Sequence, residues 1–323
     1  MQTTATPVAD HPAHAAGTTR LTSVKPATND LTSIASASRS RAHLRLVDGH
    51  ASDLMAGTLA AGSHTAAAEY VRFYSPITRR LIEPLLDAAG VGRGTRVLDL
   101  ATGPGCLAAR AADRGACVVA VDIDESMVEL ARRRHPKLDV RCADAQALPF
   151  EDGSFDAVVA NFLVHHLRSA PDAIAEFTRV LAPGGVVALS AWDVPARTRF
   201  VGVFLEAIAG CGVRAPEPRS RRRDFFHYST DAAFAGLLST RGLQDVVVRT
   251  TTFHHAVATT GALWDGLFAG TDCSSATLIL HQPPHVQHQI RMAFERRAGA
   301  YWTGERLELP VSAKVASGRR PEA

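Results

Sequence analysis

Residues 96–108 read Arg96-Val97-Leu98-Asp99-Leu100-Ala101-Thr102-Gly103-Pro104-Gly105-Cys106-Leu107-Ala108. Arg96 to Leu100 is a short apolar run of strand-forming residues. Ala101 to Gly105 ends it, and the two glycines allow a tight turn and close approach of a ligand to bare backbone. From Cys106 the apolar spacing becomes helical through Leu107, Ala108 and Ala111. A strand, a glycine turn and a helix in this order open a doubly wound α/β fold and place a ligand near the helix N-terminus.

Gly103-x-Gly105-x-x-Ala108 does not name that ligand, because dinucleotide enzymes share the pattern. Asp99, inside the strand end, discriminates. A carboxylate there would repel a pyrophosphate and suits a ligand that carries cationic groups. The pattern then repeats outward. Cys117 to Val121 is a continuous apolar strand of the kind buried in a parallel sheet. Asp122 closes it, 23 residues after Asp99, where an acid can accept hydrogen bonds from ribose hydroxyls. Asp122 to Met127 opens a helix with acids in its first turn, and Ile123 and Met127 are placed to touch a base. A third strand, Leu138 to Cys142, finishes at Ala143-Asp144-Ala145. The fourth, Phe155 to Ala160, leads into Asn161-Phe162. Ligands of such sheets lie beyond the carboxyl ends of the strands, so Asn161 to His166 is expected at the reaction site. A helix over 171–181 follows. Ala182-Pro183-Gly184-Gly185 is expected to stop it before a fifth strand, Val186 to Ser190.

Asp99-Leu100-Ala101-Thr102-Gly103-Pro104-Gly105 resembles motif I of class I S-adenosylmethionine-dependent methyltransferases. Leu148-Pro149-Phe150 and the run Arg179 to Gly185 resemble later segments of the same family, in the same order. The likeness extends from about 70 to 193. It is nearest the branch that includes the menaquinone and ubiquinone C-methyltransferases and many natural-product enzymes. It implies a Rossmann-like seven-stranded sheet of order 3-2-1-4-5-7-6, with an N-terminal helical cap and a C-terminal helical insertion. It also implies S-adenosyl-L-methionine as cofactor. Asp99 would help hold the methionine portion, with backbone approach at Ala101, Gly103 and Gly105. Asp122 would hold the ribose beside Ile123 and Met127, Asp144 and Ala145 would read the adenine, and Asn161 would adjoin the cofactor. The methyl acceptor would be an O, N or C atom of a small molecule, probed on the aromatic side by Phe225, Phe226, Tyr228, Trp264 and Phe268.

A general base is needed only for an acceptor of high pKa; the candidates are His166, of the pair His165-His166, and Tyr70 and Tyr74 from the cap. For each, simple packing or positioning stays open. Two other functions also stay open: a non-catalytic S-adenosylmethionine-binding regulator or partner protein, and a nicotinamide-dependent oxidoreductase that tolerates Asp99.

The chain of 323 residues, 46% hydrophobic and 21% charged, suits one large domain with attachments. Residues 1–60 read as a disordered extension rich in Ala, Thr, Ser and His. The domain is expected over 61–318: a helical cap at 61–92, the cofactor core at 93–193 and a substrate-side half at 194–318 with lid helices about 261–300. A net charge of +3 does not call for nucleic acid, and the arginines Arg219, Arg221, Arg222 and Arg223 read as a solvated loop. No apolar run approaches the roughly 18 residues of a membrane span. Five cysteines without CxxC spacing suit reduced thiols and a cytoplasmic protein. His281, His285 and His288 lack an accompanying carboxylate pattern, so no metal is expected. Small-molecule acceptors are the expected partners, and a homodimer is left open.

Overall fold

The computed structural model describes residues 68–214, 225–269 and 274–322. The extension at 1–60, the arginine run at 219–223 and Cys273 lie outside the described residues. Seven strands form one sheet: β1 (Arg96–Leu100), β2 (Cys117–Asp122), β3 (Asp139–Cys142), β4 (Phe155–Ala160), β5 (Leu181–Trp192), β6 (Gln244–Val257) and β7 (Leu307–Arg319). Their order is β3-β2-β1-β4-β5-β7-β6, with β7 antiparallel to both neighbours. The order matches the expected one.

The helices of the cofactor half are α1 (68–73), α2 (Ser75–Thr78), α3 (Ile82–Ala88), α4 (Cys106–Asp113), α5 (Glu125–Arg134) and α6 (Ala170–Val180). A 3-10 turn, Arg79–Leu81, joins α2 to α3. The substrate half adds α7 (Arg199–Gly210), α8 (Asp231–Ser239), α9 (Thr260–Ala269), α10 (Ser274–Leu280) and α11 (Pro284–Gly299). The last three interrupt the β6–β7 pair where lid helices were expected.

Both faces of the centre of the sheet are covered, so the inner strands β1 and β4 are largely apolar, while the edge strand β3 leaves Asp139 and Arg141 exposed. On one face Val97 packs with Ile77, Leu85, Trp192, Phe200, Leu263 and Phe294. On the other Leu98 and Leu100 pack with Val158, Ile174, Phe177, Phe234 and Leu237. Side chains alternate along a strand, so Asp99 shares the face of Val97, toward the cap. Register then brings distant residues to one level. Leu100 lies opposite Val121 and Ala160, so Ala101, Asp122 and Asn161, the next residue on each chain, meet at the carboxyl edge.

Three local expectations change. The helical spacing over about 64–90 contains Pro76 and Pro84, which predict a division into short helices, but Pro84 does not divide the cap; it sits in the first turn of α3, where its missing N–H is not needed. The break falls instead at Tyr74 and at the 3-10 turn. Ala182 to Gly185 do not separate a helix from a strand: β5 begins at Leu181, pairs with Phe155 and passes an irregularity before Ala157–Val186. Ala182 is extended ahead of Pro183, and Gly184 takes a left-handed φ of 75° within the strand. The freed carbonyls at the end of α6 accept from the Arg320 guanidinium, at Thr178 (3.2 Å), Arg179 (3.1 Å) and Leu181. Finally, the runs Leu243 to Thr251 and Leu307 to Val315 predict the last two strands, and β6 and β7 continue past those ends because each supplies the other's hydrogen bonds from Val247–Ser317 to Val257–Leu307.

Candidate active site

A cleft at the carboxyl edge is lined from the cap by Tyr70, Ser75, Thr78, Arg79 and Ile82 and from the sheet by Asp99, Ala101, Thr102, Pro104, Cys106, Leu107 and Asn161. Its cavity volume is about 30 Å³, well below the roughly 300–1,000 Å³ of small-molecule sites, because the cap lies close over the glycine turn. The glycine turn gives it a floor. Ala101 and Gly103 both have φ of 53°, and Gly105 has 83°. Glycine is required at 105 twice over, since a Cβ there would stand 2.9 Å from the His135 ring. At Gly103 nothing lies within 4 Å of that position, so its ligand side is open.

Asp99 is 1% exposed. One carboxylate oxygen, Oδ2, accepts from Thr102 Oγ1 (2.6 Å) and from the Ala108 backbone N–H (3.1 Å). Burial outweighs these bonds and pushes the Asp99 carboxyl up to about 7, with the Asp122 charge adding to the rise. Asp122 is also buried. Its Oδ2 accepts from Gly103 N–H (2.8 Å) and its Oδ1 from Asp124 N–H (3.0 Å). Burial again raises its pKa against those two bonds. Asp99 lines the cleft and Asp122 is bonded to the turn at Gly103, with no cation hydrogen-bonded to either, an arrangement that favours a positively charged ligand.

The other expected residues divide. Ile123 is 66% exposed, an uncovered apolar side chain beside Asp122, and Met127 is half-buried one turn along α5. Asp124 caps α5, accepting from Ser126 N–H at 2.8 Å. Asp144 accepts from Gln146 N–H (2.9 Å) and Arg168 Nη2 (2.9 Å); burial acts to raise its pKa, and these bonds together hold it below the usual carboxylate range. Ala145 beside it is buried. Asn161 lines the cleft, but both ends of its amide are taken. Nδ2 donates to the Thr78 carbonyl (3.0 Å) and Oδ1 accepts from Ser190 Oγ (2.7 Å). Ser190 Oγ in turn accepts from Phe162 N–H (2.8 Å), holding Phe162 at a φ of 59°. Asn161 therefore ties the cap to the ends of β4 and β5.

Of the base candidates, Tyr70 alone lines the cleft. Burial raises its pKa, with the charges of Cys106, Asp122 and Asp99 adding and a Thr78 hydrogen bond opposing. Its hydroxyl therefore keeps its proton. Tyr74 stacks on Tyr70 (5.9 Å between ring centres) and meets Phe73 edge-on (4.9 Å), packed into the core. His166 is exposed, outside the lining of the cleft. His165 turns inward against Phe225, with Nδ1 buried and without a hydrogen-bond partner. Burial first, and then His166, hold its pKa well below the usual range.

Sequence reasoning missed Thr102, Arg79, Thr78 and Ser190. Thr102 stands in the quoted turn, and its hydroxyl three residues after an acid was a usable signal. The others carry no local signal.

Residues 98–189 match the family model described as a methyltransferase domain. A demethylmenaquinone methyltransferase of Renibacterium salmoninarum is 40% identical over 129 residues, 40% of this chain and 54% of that protein. One of Beutenbergia cavernae is 40% identical over 119 residues, 37% of this chain and 50% of that protein. The chain thus spans about half the length of these curated relatives. The crystal structure of the YcgJ protein of Bacillus subtilis aligns with 76% of this chain and 99% of its own, at 19% identity and a TM-score of 0.48. Over residues 98–189 the chain is thus similar to a methyltransferase domain, with the sheet order and the carboxylate-bearing glycine turn beside that match, and over about 40% of its length it resembles demethylmenaquinone methyltransferases.

Proposed function

We propose that this protein transfers a methyl group from S-adenosylmethionine to an O, N or C atom of a small, apolar or aromatic molecule. The observation that carries it is Asp99: a buried carboxylate that lines the cleft beside the glycine turn, raised to about 7 by burial, with no cation bonded to it. The cofactor's ammonium and sulfonium are the charges such a cleft lacks. Asp99 holds the amino end, and the backbone at Ala101, Gly103 and Gly105 admits close approach. Asp122 takes the ribose hydroxyls, Ile123 and Met127 cover the adenine, and Asp144 with Ala145 borders its edge.

When bound, the cofactor supplies a methyl on a positively charged sulfur that departs neutral. The chain's task is to hold the acceptor in line and keep water out. Tyr70 orients by donating a hydrogen bond, Tyr74 stiffens the cap behind it, and His166 remains our candidate for proton removal from an acceptor of high pKa. Two relatives named for demethylmenaquinone support an aromatic acceptor. We assign the domain to 61–318 and the protein to the cytoplasm; no helix among the described residues is long and apolar enough to cross a membrane.

Calorimetric titration with S-adenosylhomocysteine, with NAD in parallel, tests the proposal. Micromolar binding of the first alone supports it, and labelled methyl donor with phenols, quinones and amines then finds the acceptor. Binding of NAD alone would overturn it.

A further inference from the structure

A second hollow lies away from the strand ends, between α9 and the α10–α11 pair in the insertion that separates β6 from β7. Its volume is about 490 Å³, inside the roughly 300–1,000 Å³ of small-molecule sites. It shares no lining residue with the cleft beneath the cap. Helix α9 stands between the cap and the hollow. Gly266 turns to the cap, where a Cβ would fall 1.9 Å from the Phe73 ring. Trp264 and Phe268, each two positions from Gly266 and so about 200° round the helix, face the other way and line the hollow.

The walls are apolar and held in place. Trp264 stacks on Phe268 (4.7 Å between ring centres) and meets Phe204 and Phe294 edge-on. Opposite them Ile279 is buried, while Leu280 is 63% exposed, an uncovered apolar side chain. Three lining residues are polar. Gln287 donates its amide N–H groups to the carbonyls of Leu280 (3.3 Å) and Gln282 (2.7 Å), which fastens α11 to the end of α10. His288 is exposed. Arg291 is the remaining donor. Its Nε donates to Glu295 (2.6 Å), and its guanidinium carbon lies 4.8 Å from the centre of the Trp264 ring, so the fork is fixed. Its Nη groups make no hydrogen bond among the described residues. Because the Glu295 carboxylate offsets the charge of Arg291, the pair offers donors without a strong pull on an anion.

We infer that this hollow is a second small-molecule site, which takes a planar aromatic ring bearing a neutral carbonyl oxygen. The ring lies among Trp264, Phe268, Ile279 and Leu280, held by burial of its apolar surface and by the edges of the aromatic pair. The oxygen accepts from the Nη groups of Arg291. The inference does not depend on the proposed S-adenosylmethionine cleft, since no group of that cleft enters the hollow.

Equilibrium dialysis of the full chain against three probes tests it. 2-Acetylnaphthalene carries the ring and the carbonyl, 2-ethylnaphthalene the ring alone, and 2-dodecanone the carbonyl on a linear chain of equal carbon count. Acetylnaphthalene should bind roughly tenfold more tightly than ethylnaphthalene, the worth of one hydrogen bond from a charged donor, and more tightly than dodecanone. Arg291→Met, which keeps an apolar stem over Trp264, should bring acetylnaphthalene down to the level of ethylnaphthalene. Leu280→Asp, at an exposed position, should weaken both naphthalenes about fivefold or more by setting a charge in the apolar wall. Saturating S-adenosylhomocysteine should leave all of these affinities within about twofold, because the two sites are separate. Displacement of acetylnaphthalene by S-adenosylhomocysteine would overturn the inference, since the probe would then occupy the cleft. So would equal binding of the ketone and the hydrocarbon, tighter binding of dodecanone, or affinity that neither substitution changes. Absence of binding to the unaltered chain at about 1 mM acetylnaphthalene, weaker than any site of this size and lining should show, would overturn it as well.

Discussion

Between residues 96 and 161 the buried polar groups find partners close by in the chain. Asp99 is bonded to residues 3 and 9 positions on, and Asp122 to residues 19 back and 2 on. Beyond residue 190 the partners are remote. Thr198 donates to the Ser312 carbonyl across 114 positions, Ser312 to Asp193 across 119, and Lys314 to Asp231 across 83. The first region is made of strand-end turns whose polar groups are paired by local chemistry. The second is a wall whose polar groups are consumed in holding the antiparallel β6–β7 pair against β5. A cofactor shared by many enzymes needs the first kind of structure, while the second leaves its loops and inserted helices free to vary.

That contrast predicts that substitutions in the wall cost stability, whereas those in the turns cost affinity. The largest effect should come from Lys314→Met. Lys314 is 3% exposed, and its ammonium donates to Asp231 Oδ1 (2.6 Å) and Thr250 Oγ1 (3.0 Å), 3.6 Å from the buried Asp193. Removing it leaves a buried carboxylate short of its cation, at about 3 kcal/mol. A melting curve should fall by roughly 6–12 °C, while S-adenosylhomocysteine affinity at a temperature where the variant is folded stays unchanged. A parallel loss of affinity would show that the two regions are one unit. Next comes Asp122→Ala, with the opposite signature. Affinity should fall well over tenfold as two buried charge-assisted bonds are lost, and the melting temperature of the free protein should hardly drop, since the raised pKa of Asp122 marks it as unhappy there.

Asn161 joins the two regions, so its variant sharpens the boundary. Asn161→Leu removes the bond to the Thr78 carbonyl and leaves Ser190 Oγ without its acceptor. We expect about 1–2 kcal/mol less protection, confined to residues 70–81 in hydrogen exchange. Strand β1 should stay protected. Loss of protection spread over the whole sheet would make Asn161 a core residue rather than a latch on the cap.

How much was legible follows the same division. The three strand-end acids and the glycine turn could be read because each is written in a few consecutive residues: a carboxylate at a strand end, then small residues, then helical spacing; the sheet order came only through the family resemblance those residues carry. Asn161 was legible as a site position, but its partners Thr78 and Ser190 are 83 and 29 positions away, and no local pattern announces them. The Pro183-Gly184-Gly185 stretch misled because helix-stopping residues also serve a bulged strand when a neighbour such as Phe155 offers pairing. The histidines show the limit from the other side. The pair was legible, yet which imidazole turns inward depends on Phe225, 60 positions from His165.

The smallest effect is also the one most specific to Asp99. In the free protein its carboxyl is pushed up to about 7 by burial. A bound ammonium favours the ionised form and lowers that value, so binding below pH 7 must release a proton. Affinity should therefore climb as pH rises toward 7 and level off above it, falling about eightfold between pH 7.5 and 6 if the bound-state pKa lies well below 6. The free protein's stability carries the opposite sign: a carboxyl raised in the folded state above its unfolded value makes folding less favourable as pH rises from about 4 to 7. Titration at pH 6 in two buffers of different ionisation enthalpy reads the proton directly, and close to one should leave per ligand bound. Asp99→Asn should abolish both the pH dependence and the proton release. If proton release survives in Asp99→Asn, the titrating group is another, and Asp122, raised by the same burial, is the one to substitute next.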